Sequence, residues 1–530
     1  MKSIHLLTTL ATACLLAACS GGYFAPAARG SLIQNPPLLT TSLTADSLAA
    51  SLNSSATGKG LLAMAGKPKC GINVQHIQYA TVGGAGEATD ASGALMTPSG
   101  GVDCTGARPV VLYAHGTTAA KNYNLGTLAD NTNPAYGEAL LIAAMYAAQG
   151  FIVVAPNYAG YDSSRLNYHP YLNADQSSKD MMDALSAARK ALTGLKQPVQ
   201  DSGKLFITGY SQGGHVAMAT HKAMQAAGLP VAASAPMSGP YATAAFGDAI
   251  YYGNVNLGST LFLPLLVNSY QKAYGNIYSR LTDIYEPAYA TGLDKLLPTD
   301  LPVKTLFSQG LLPQTTLFSN PAPTAPAGSP PTLQATLNAI SPPTKPPALA
   351  PLFALGFGHN NLMTNQSRLN YLLDAIAHPD GAMPRLTNGA PAASPAHPMR
   401  IAAKRNDLRN WTPTSPVLLC GGKGDPTVFF DINTSLMQSF WSAPSPAAPA
   451  AGLLTVLDLA SASTGAADPY AAAKTGFNQA MSNTAKAAIA AGATDGGSAA
   501  VTQAYHGALL PPFCNAAARG FFQQVLARGA

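Results

Sequence analysis

The chain has 530 residues, 47% of them hydrophobic and only 10% charged, against about 25% charged in an average globular domain. Such a composition builds a sizeable core and excludes global disorder, which needs low hydrophobicity and high net charge. The formal net charge is +6, yet no run of five or six like charges occurs. The clustered Lys/Arg that a nucleic-acid binder uses to neutralise phosphates is therefore missing.

Residues 1–18 read as a signal peptide. Lys2 gives a positive start, and Ile4 to Ala18 is mostly apolar but too short to span a bilayer. The stretch ends Leu16-Ala17-Ala18-Cys19, which resembles a bacterial lipobox. Cys19 is thus expected to carry lipid and to become the first mature residue. The chain would then be exported and membrane-anchored, at the outer membrane or periplasmic face or on the surface of a bacterium. No later segment has 18 uninterrupted apolar residues, so no transmembrane helix is expected. With Cys14 removed and Cys19 lipidated, Cys70, Cys104, Cys420 and Cys514 remain, and four cysteines allow three pairings.

Residues 19–68, rich in Ala, Ser, Thr, Leu and Gly, read as a flexible tether. Ile72 to Tyr79 and Gly93 to Pro98 read as short strands joined through Gly83-Gly84-Ala85-Gly86, a turn rather than a phosphate loop. Cys70 and Cys104 bracket this antiparallel start and are expected to pair. Strands and helices then alternate. Strands are predicted at Pro109–Tyr113, Phe151–Ala155, Lys204–Thr208 and Pro230–Ser234, and helices at Ala135–Gln149, Asp180–Leu195 and Gly214–Ala227. The rhythm resumes far downstream with a strand at Pro416–Leu419, a helix near Val428–Phe440, a strand at Leu453–Leu457 and a last helix at Asn515–Ala527. This alternation specifies an α/β layer fold. Its core would occupy 69–238 and 411–530.

Residues 239–410 interrupt the rhythm and read as an inserted cap over one end of the sheet. Its Pro-rich middle, about Pro313 to Pro351, is expected to be an extended or mobile excursion, and Gln366–Ala377 a helix. Within the cap, the apolar stretch Thr260–Val267 is expected either to line a pocket or to form cap core. Smaller inserts are expected at 443–451 and 488–500.

The strongest chemical signal is Gly209-Tyr210-Ser211-Gln212-Gly213, directly after a predicted strand and before a helix. In that context the glycines permit a sharp turn that lifts a serine hydroxyl out of the backbone. Ser211 is the expected nucleophile. A serine hydroxyl needs a base, and the base an acid to orient it. In a strand–turn–helix site of this kind the acid follows the serine and the histidine comes last. Gly421-Gly422-Lys423-Gly424-Asp425 follows the predicted strand Pro416–Leu419, which makes Asp425 the expected acid, with Asp431 and Asp458 in reserve. Among ten histidines only His506 lies beyond Asp425, so it is the expected base. The oxyanion donors are expected to be the amide of Gln212 and that of Thr117, with Thr118 as the alternative. His115 beside them is expected to be structural. A bridge between Cys420 and Cys514 would tie the acid loop to the base loop. No metal-ligand spacing and no cofactor motif occurs, and the chemistry needs none.

With these residues in place the chain resembles the α/β-hydrolase superfamily, and within it secretory lipases and bacterial lipoprotein esterases. Further resemblance lies in Ala155-Pro156-Asn157-Tyr158-Ala159-Gly160-Tyr161-Asp162, His169-Pro170-Tyr171-Leu172 and Asn410-Trp411-Thr412-Pro413. It covers about 70–240 and 400–530. It implies a mostly parallel sheet flanked by helices, and hydrolysis of a small-molecule or lipid carboxylic ester through an acyl-enzyme. The alternatives are a serine peptidase of the prolyl-oligopeptidase type, which shares the residue order, and an inactive surface binding module. Peptidases of that type usually carry a propeller ahead of the hydrolase domain, and the residues before the first predicted strand are too few for one.

Overall fold

Strands buried on both faces assemble into one sheet. The computed structural model describes residues 27–442, 452–465 and 467–529. The signal peptide, the lipobox with Cys19 and the 443–451 insert lie outside the described residues. The strands are β1 (Leu38–Leu43), β2 (Gly71–Val82), β3 (Ala88–Ser99), β4 (Gly106–Ala114), β5 (Ile152–Pro156), β6 (Val199–Tyr210) and β7 (Ala233–Met237). The two-residue β8 (Phe318–Ser319) and β9 (Phe357–Gly358) pair with each other outside the sheet, and β10 (Val417–Gly421) and β11 (Leu454–Asp458) complete it. The order is β1-β2-β3-β5-β4-β6-β7-β10-β11. From β5 to β11 all neighbours are parallel, and the β1–β3 edge is antiparallel. The central strands read as unbroken apolar runs because helices cover both faces: Val110 to Ala114 and Ile152 to Ala155 are all buried.

Part of the expected tether is folded. From residue 27 the chain makes β1, paired to β2, then α1 (Ala45–Asn53) and α2 (Ala56–Ala65). Thr44 and Ser55 cap the two helices through their hydroxyls, at 3.1 and 3.0 Å. Leu48, Leu52, Leu61 and Ala65 are buried at four-residue spacing, so each helix has one apolar face to dock. On the sheet, α2 packs with α3 (Tyr136–Met145) and the C-terminal helix Leu510–Ala527, while α4 (Ala174–Gly194) and α5 (Gln212–Ala226) form the other pair. The C-terminal helix begins earlier than its predicted Asn515, because Pro511 and Pro512 sit in the first turn, where a missing N–H costs nothing. Between 467 and 504 the structure has two helices, Ala471–Ala490 and Ser498–Ala504, that meet the expected 488–500 insert at its ends.

Residues between β7 and β10 carry α6 (Thr243–Tyr251), α7 (Ser259–Tyr274), the helix Asn365–Ala377 and a core of their own that includes Leu265, Tyr285, Leu306 and Leu372. The Pro-rich stretch, expected to be an excursion, is instead fastened to it. Leu317, Phe318 and Leu337 are buried. The buried guanidinium of Arg368 donates to the Ile340 carbonyl at 2.8 Å and the Ser341 hydroxyl at 2.7 Å, and lies 4.3 Å over the Phe318 ring. Buried ion pairs brace the rest: Arg400 with Asp248 and Asp374, and Arg409 with Asp380 and Asp407. Disulfides join Cys70 to Cys104 and Cys420 to Cys514, which fits an exported protein. Among the described residues no helix is long and apolar enough to cross a membrane.

Candidate active site

Three turns at the carboxyl ends of β4, β6 and β10 meet in one place, the edge where open parallel sheets build their sites. At the β6–α5 turn Ser211 has φ +60° and ψ −121°, a strained conformation for a residue with a side chain. The flanking glycines make the turn possible. A Cβ on Gly213 would lie 2.0 Å from the Ala114 carbonyl oxygen, and one on Gly209 would lie 2.4 Å from that of Gly213.

His506 Nε2 lies 2.8 Å from Ser211 Oγ, and its Nδ1 lies 2.7 Å from Asp425 Oδ2. A carboxylate only accepts, so the ring proton sits on Nδ1 and the Nε2 lone pair faces the serine. Asp425 is 3% exposed, and four donors hold it. Oδ1 takes the amides of Thr427 and Val428 at 2.9 and 3.0 Å, and Oδ2 takes the Ser238 hydroxyl at 2.6 Å besides the imidazole. Asp431 and Asp458 bond elsewhere, to Ser435 and to the Lys423 and Ala460 amides. The glycines around the acid serve a second purpose. A Cβ at Gly422 or Gly424 would strike Tyr505, whose hydroxyl accepts the Gly424 amide at 3.1 Å.

His506 sits in a π-helical turn, Tyr505–Leu509, which runs straight into the C-terminal helix. The Tyr210 hydroxyl donates to its carbonyl at 2.6 Å. The Cys420–Cys514 bridge joins the strand before Asp425 to the helix after His506.

The Gln212 and Thr117 amides have no acceptor among the described residues. The Thr118 amide has none either; its carbonyl is held by the Tyr161 hydroxyl at 2.7 Å. His169 fixes the Gln212 side chain. Its Nδ1–H donates to the Ala159 carbonyl at 3.0 Å, and its Nε2 accepts the Gln212 amide at 2.6 Å. Burial pushes the His169 imidazole down to about 3, so it stays neutral and able to accept. His115 is also buried, stacked between Tyr123 and Tyr158, and burial lowers it too. Glu138 accepts the Tyr113 hydroxyl at 2.7 Å, the Gly116 amide at 3.3 Å and the Tyr123 hydroxyl, bracing the turn that carries Thr117. Ser238 and Glu138 stand in no motif, and only the fold brings them to the site; Tyr210 lies within the Gly209–Gly213 motif and His169 within His169–Leu172, but neither segment marks what its ring bonds to.

Two cavities meet at Ser211. An inner chamber has buried walls, among them Tyr171, Tyr251, Leu263 and Tyr371, and reaches toward Ile250 and Met399. An outer one includes Thr117, Glu138 and His506 and opens to solvent past the exposed Thr57, Gly137 and Gly507. The start of α7 lies between them. There Asn256 Nδ2 donates to the Thr427 carbonyl at 2.6 Å, and the Leu257 amide to that of Pro426 at 3.0 Å. Such a geometry can draw a proton from Ser211 as its oxygen attacks a carbonyl, store it on an imidazolium beside a fixed carboxylate and return it to the leaving group.

Comparison with known folds agrees. The structure is similar to that of the rice cell wall degrading esterase LipA from Xanthomonas oryzae in a ligand-bound form, with TM-score 0.63 and 24% identity over 95% of this chain and 100% of that one. A second crystal structure of that esterase gives TM-score 0.59 and 26% identity over 84% and 95%. The chain is an α/β hydrolase. A putative hydrolase from Legionella pneumophila shares the hydrolase's fold at TM-score 0.59 and 19% identity, over 94% of this chain and 99% of that one. The prolyl oligopeptidase family model matches residues 139–249 of the hydrolase, a stretch that includes the Ser211 turn but neither Asp425 nor His506. No curated protein matches it in sequence. These likenesses, with the fold, make the hydrolase a serine hydrolase.

Proposed function

We propose that the hydrolase cleaves carboxylic esters through an acyl-enzyme on Ser211. His506 acts as base and then acid, Asp425 orients it, and the Gln212 and Thr117 amides receive the oxyanion. The observation that carries this reading is the 2.8 Å approach of His506 Nε2 to Ser211 Oγ at the mouth of an apolar chamber. Each oxyanion donor contributes about 3–4 kcal/mol to such a reaction. An ester is favoured over a peptide because the inner chamber is lined mainly by aliphatic and aromatic side chains and holds no charged one. The likeness to LipA supports the same choice. Residues 239–410 serve as the cap that builds this chamber. The acylated Cys19 would hold the enzyme on a membrane, its substrate a small-molecule or lipid ester.

A peptidase reading has one observation behind it, the prolyl oligopeptidase match at 139–249. Turnover of p-nitrophenyl esters and of prolyl peptide amides, by the wild type and by Ser211→Ala, separates the two. Ester turnover that vanishes in the variant is expected. Ser211-dependent cleavage of the amides with no ester turnover would sink the proposal.

A further inference from the structure

Ser211 and Phe262 are the two residues that border both chambers. We propose that Phe262 is a specificity-determining partition that sorts the two halves of an ester, directing an apolar acyl group into the inner chamber and the alcohol into the outer one. The inference rests on the esterase reading above.

The direction follows from where the proton goes. Ser211 Oγ bonds to the carbonyl carbon as its proton passes to His506 Nε2. The carbon–oxygen bond to the alcohol then breaks, and the same proton moves from Nε2 to the departing oxygen. The alcohol must therefore leave on the side that His506 faces. His506 lines the outer chamber and is absent from the inner one. The acyl group, held on Ser211, is left the inner side.

Chamber chemistry matches that assignment. Phe246, Ile250, Leu263, Leu266, Met399 and Val428 give the inner walls a hydrocarbon surface. Two of its polar neighbours are already bonded to protein, Asn256 to the Thr427 carbonyl and the Ser259 hydroxyl to the Asn256 carbonyl at 2.9 Å, whereas Gln212 Oε1, beside Ser211, has no partner among the described residues. Asn256 and Ser259 thus offer little to a polar ligand. The outer chamber differs in carrying a charge, the Glu138 carboxylate held by the Tyr113 and Tyr123 hydroxyls, together with the Thr57 hydroxyl and that of Thr117, which is bonded to Tyr171.

The partition is seated by its own helix. Gly258, the N-cap of α7, has φ +88°, and a Cβ there would lie 2.5 Å from the Phe262 ring. Glycine at this position lets the ring fold back over the helix start. The adjoining Asn256 and Leu257 are bonded to the acid loop, so the start of the helix that carries the ring is tied to the segment that holds Asp425.

The test measures kcat/KM on two ester series, p-nitrophenyl acyl esters from acetate to decanoate and butyrates of alcohols from methyl to bulky alkyl. Four variants are compared with the wild type: Phe262→Ala, Phe262→Leu, Ile250→Trp in the inner wall, and Gly137→Trp in the outer wall, where a Cβ meets nothing within 4 Å. Ile250→Trp is expected to lower the decanoate-to-acetate ratio about tenfold or more, the scale of apolar-pocket discrimination. Gly137→Trp is expected to lower the bulky-to-methyl alcohol ratio instead. Phe262→Ala should flatten both ratios, with Phe262→Leu between it and the wild type; the Leu variant carries the test if the Ala variant does not fold. A swapped pattern, or ratios that ignore residue 262, overturns the partition while leaving the esterase reading intact. A wild type that labels with a fluorophosphonate yet cleaves no ester overturns both.

Discussion

Ser238 offers a sharp check on how the site is held together. It touches neither chamber, and its hydroxyl donates to Asp425 Oδ2 at 2.6 Å. Replacing it with alanine leaves a buried carboxylate oxygen with the imidazole as its remaining donor. A hydrogen bond to a charged acceptor contributes about 1.5–3 kcal/mol. If that loss is felt when the imidazolium forms beside Asp425, the rate falls roughly 10- to 150-fold, at about 1.4 kcal/mol per factor of ten. This is well short of the about 10⁴-fold that loss of the acid's function costs in a serine–histidine–aspartate triad. Because Ser238 lines no substrate surface, kcat should carry the loss and KM should not move. Steady-state kinetics on a p-nitrophenyl ester, beside thermal melts of both proteins, reads this directly. A variant that melts like the wild type and keeps kcat within a factor of two would refute the claim that this hydroxyl orients the acid.

The two bridges should behave differently. Cys420–Cys514 closes 94 residues and Cys70–Cys104 closes 34, for which chain entropy gives about 4.7 and about 3.8 kcal/mol. Urea unfolding of the paired Cys→Ser variants should show similar losses of stability, with kcat reduced in the first pair alone; equal kcat in both would break the link between that bridge and the site. Burial pushes Asp180 up to about 6, although Tyr79 and the Ala159 amide donate to it. A carboxyl raised on folding stabilises most below its unfolded value near 4 and loses that contribution as pH rises through about 6, about 3 kcal/mol in all. Asp180→Asn should flatten that part of a stability–pH curve, and an unchanged slope would disprove the assignment. Cys19→Ser should move the enzyme from the membrane to the soluble fraction of its host; a Ser variant that still sediments with membranes would dismiss the lipid anchor.

How much was legible depended on the range over which each signal acts. The Ser211 turn is written in five consecutive residues, so its position in the strand–turn–helix frame could be read directly. The sequence reasoning led to His506 and Asp425 through chain order, and the structure brings both to Ser211. Ser238 carries no such mark: it precedes Asp425 by 187 positions, and only the pairing of β7 with β10 makes them neighbours. The folded part of residues 19–68 is hidden in the sequence for a related reason. Its Ala/Ser/Thr content masked capping hydroxyls at Thr44 and Ser55 and a thin leucine stripe that pays off only against the sheet edge. The Pro-rich stretch gave no periodicity because it is held by isolated anchors, Phe318, Leu337 and the distant Arg368, rather than by a repeating face. Ala471–Ala490 escaped for the opposite reason: it buries little besides Phe477, so no apolar stripe announces it.

The bonds from Asn256 and Leu257 to the carbonyls of Thr427 and Pro426 make the segment leading into α7 and the loop of Asp425 a single mechanical unit. The amides of Thr427 and Val428, on the same short segment, hold the carboxylate. A displacement of α7 away from Ser211 would thus pull on the strand of chain that aims the acid. Widening the inner chamber at this point and keeping the proton relay aligned are competing demands on one loop, and a bulky substrate would be felt first as a loss of turnover rather than as a loss of binding.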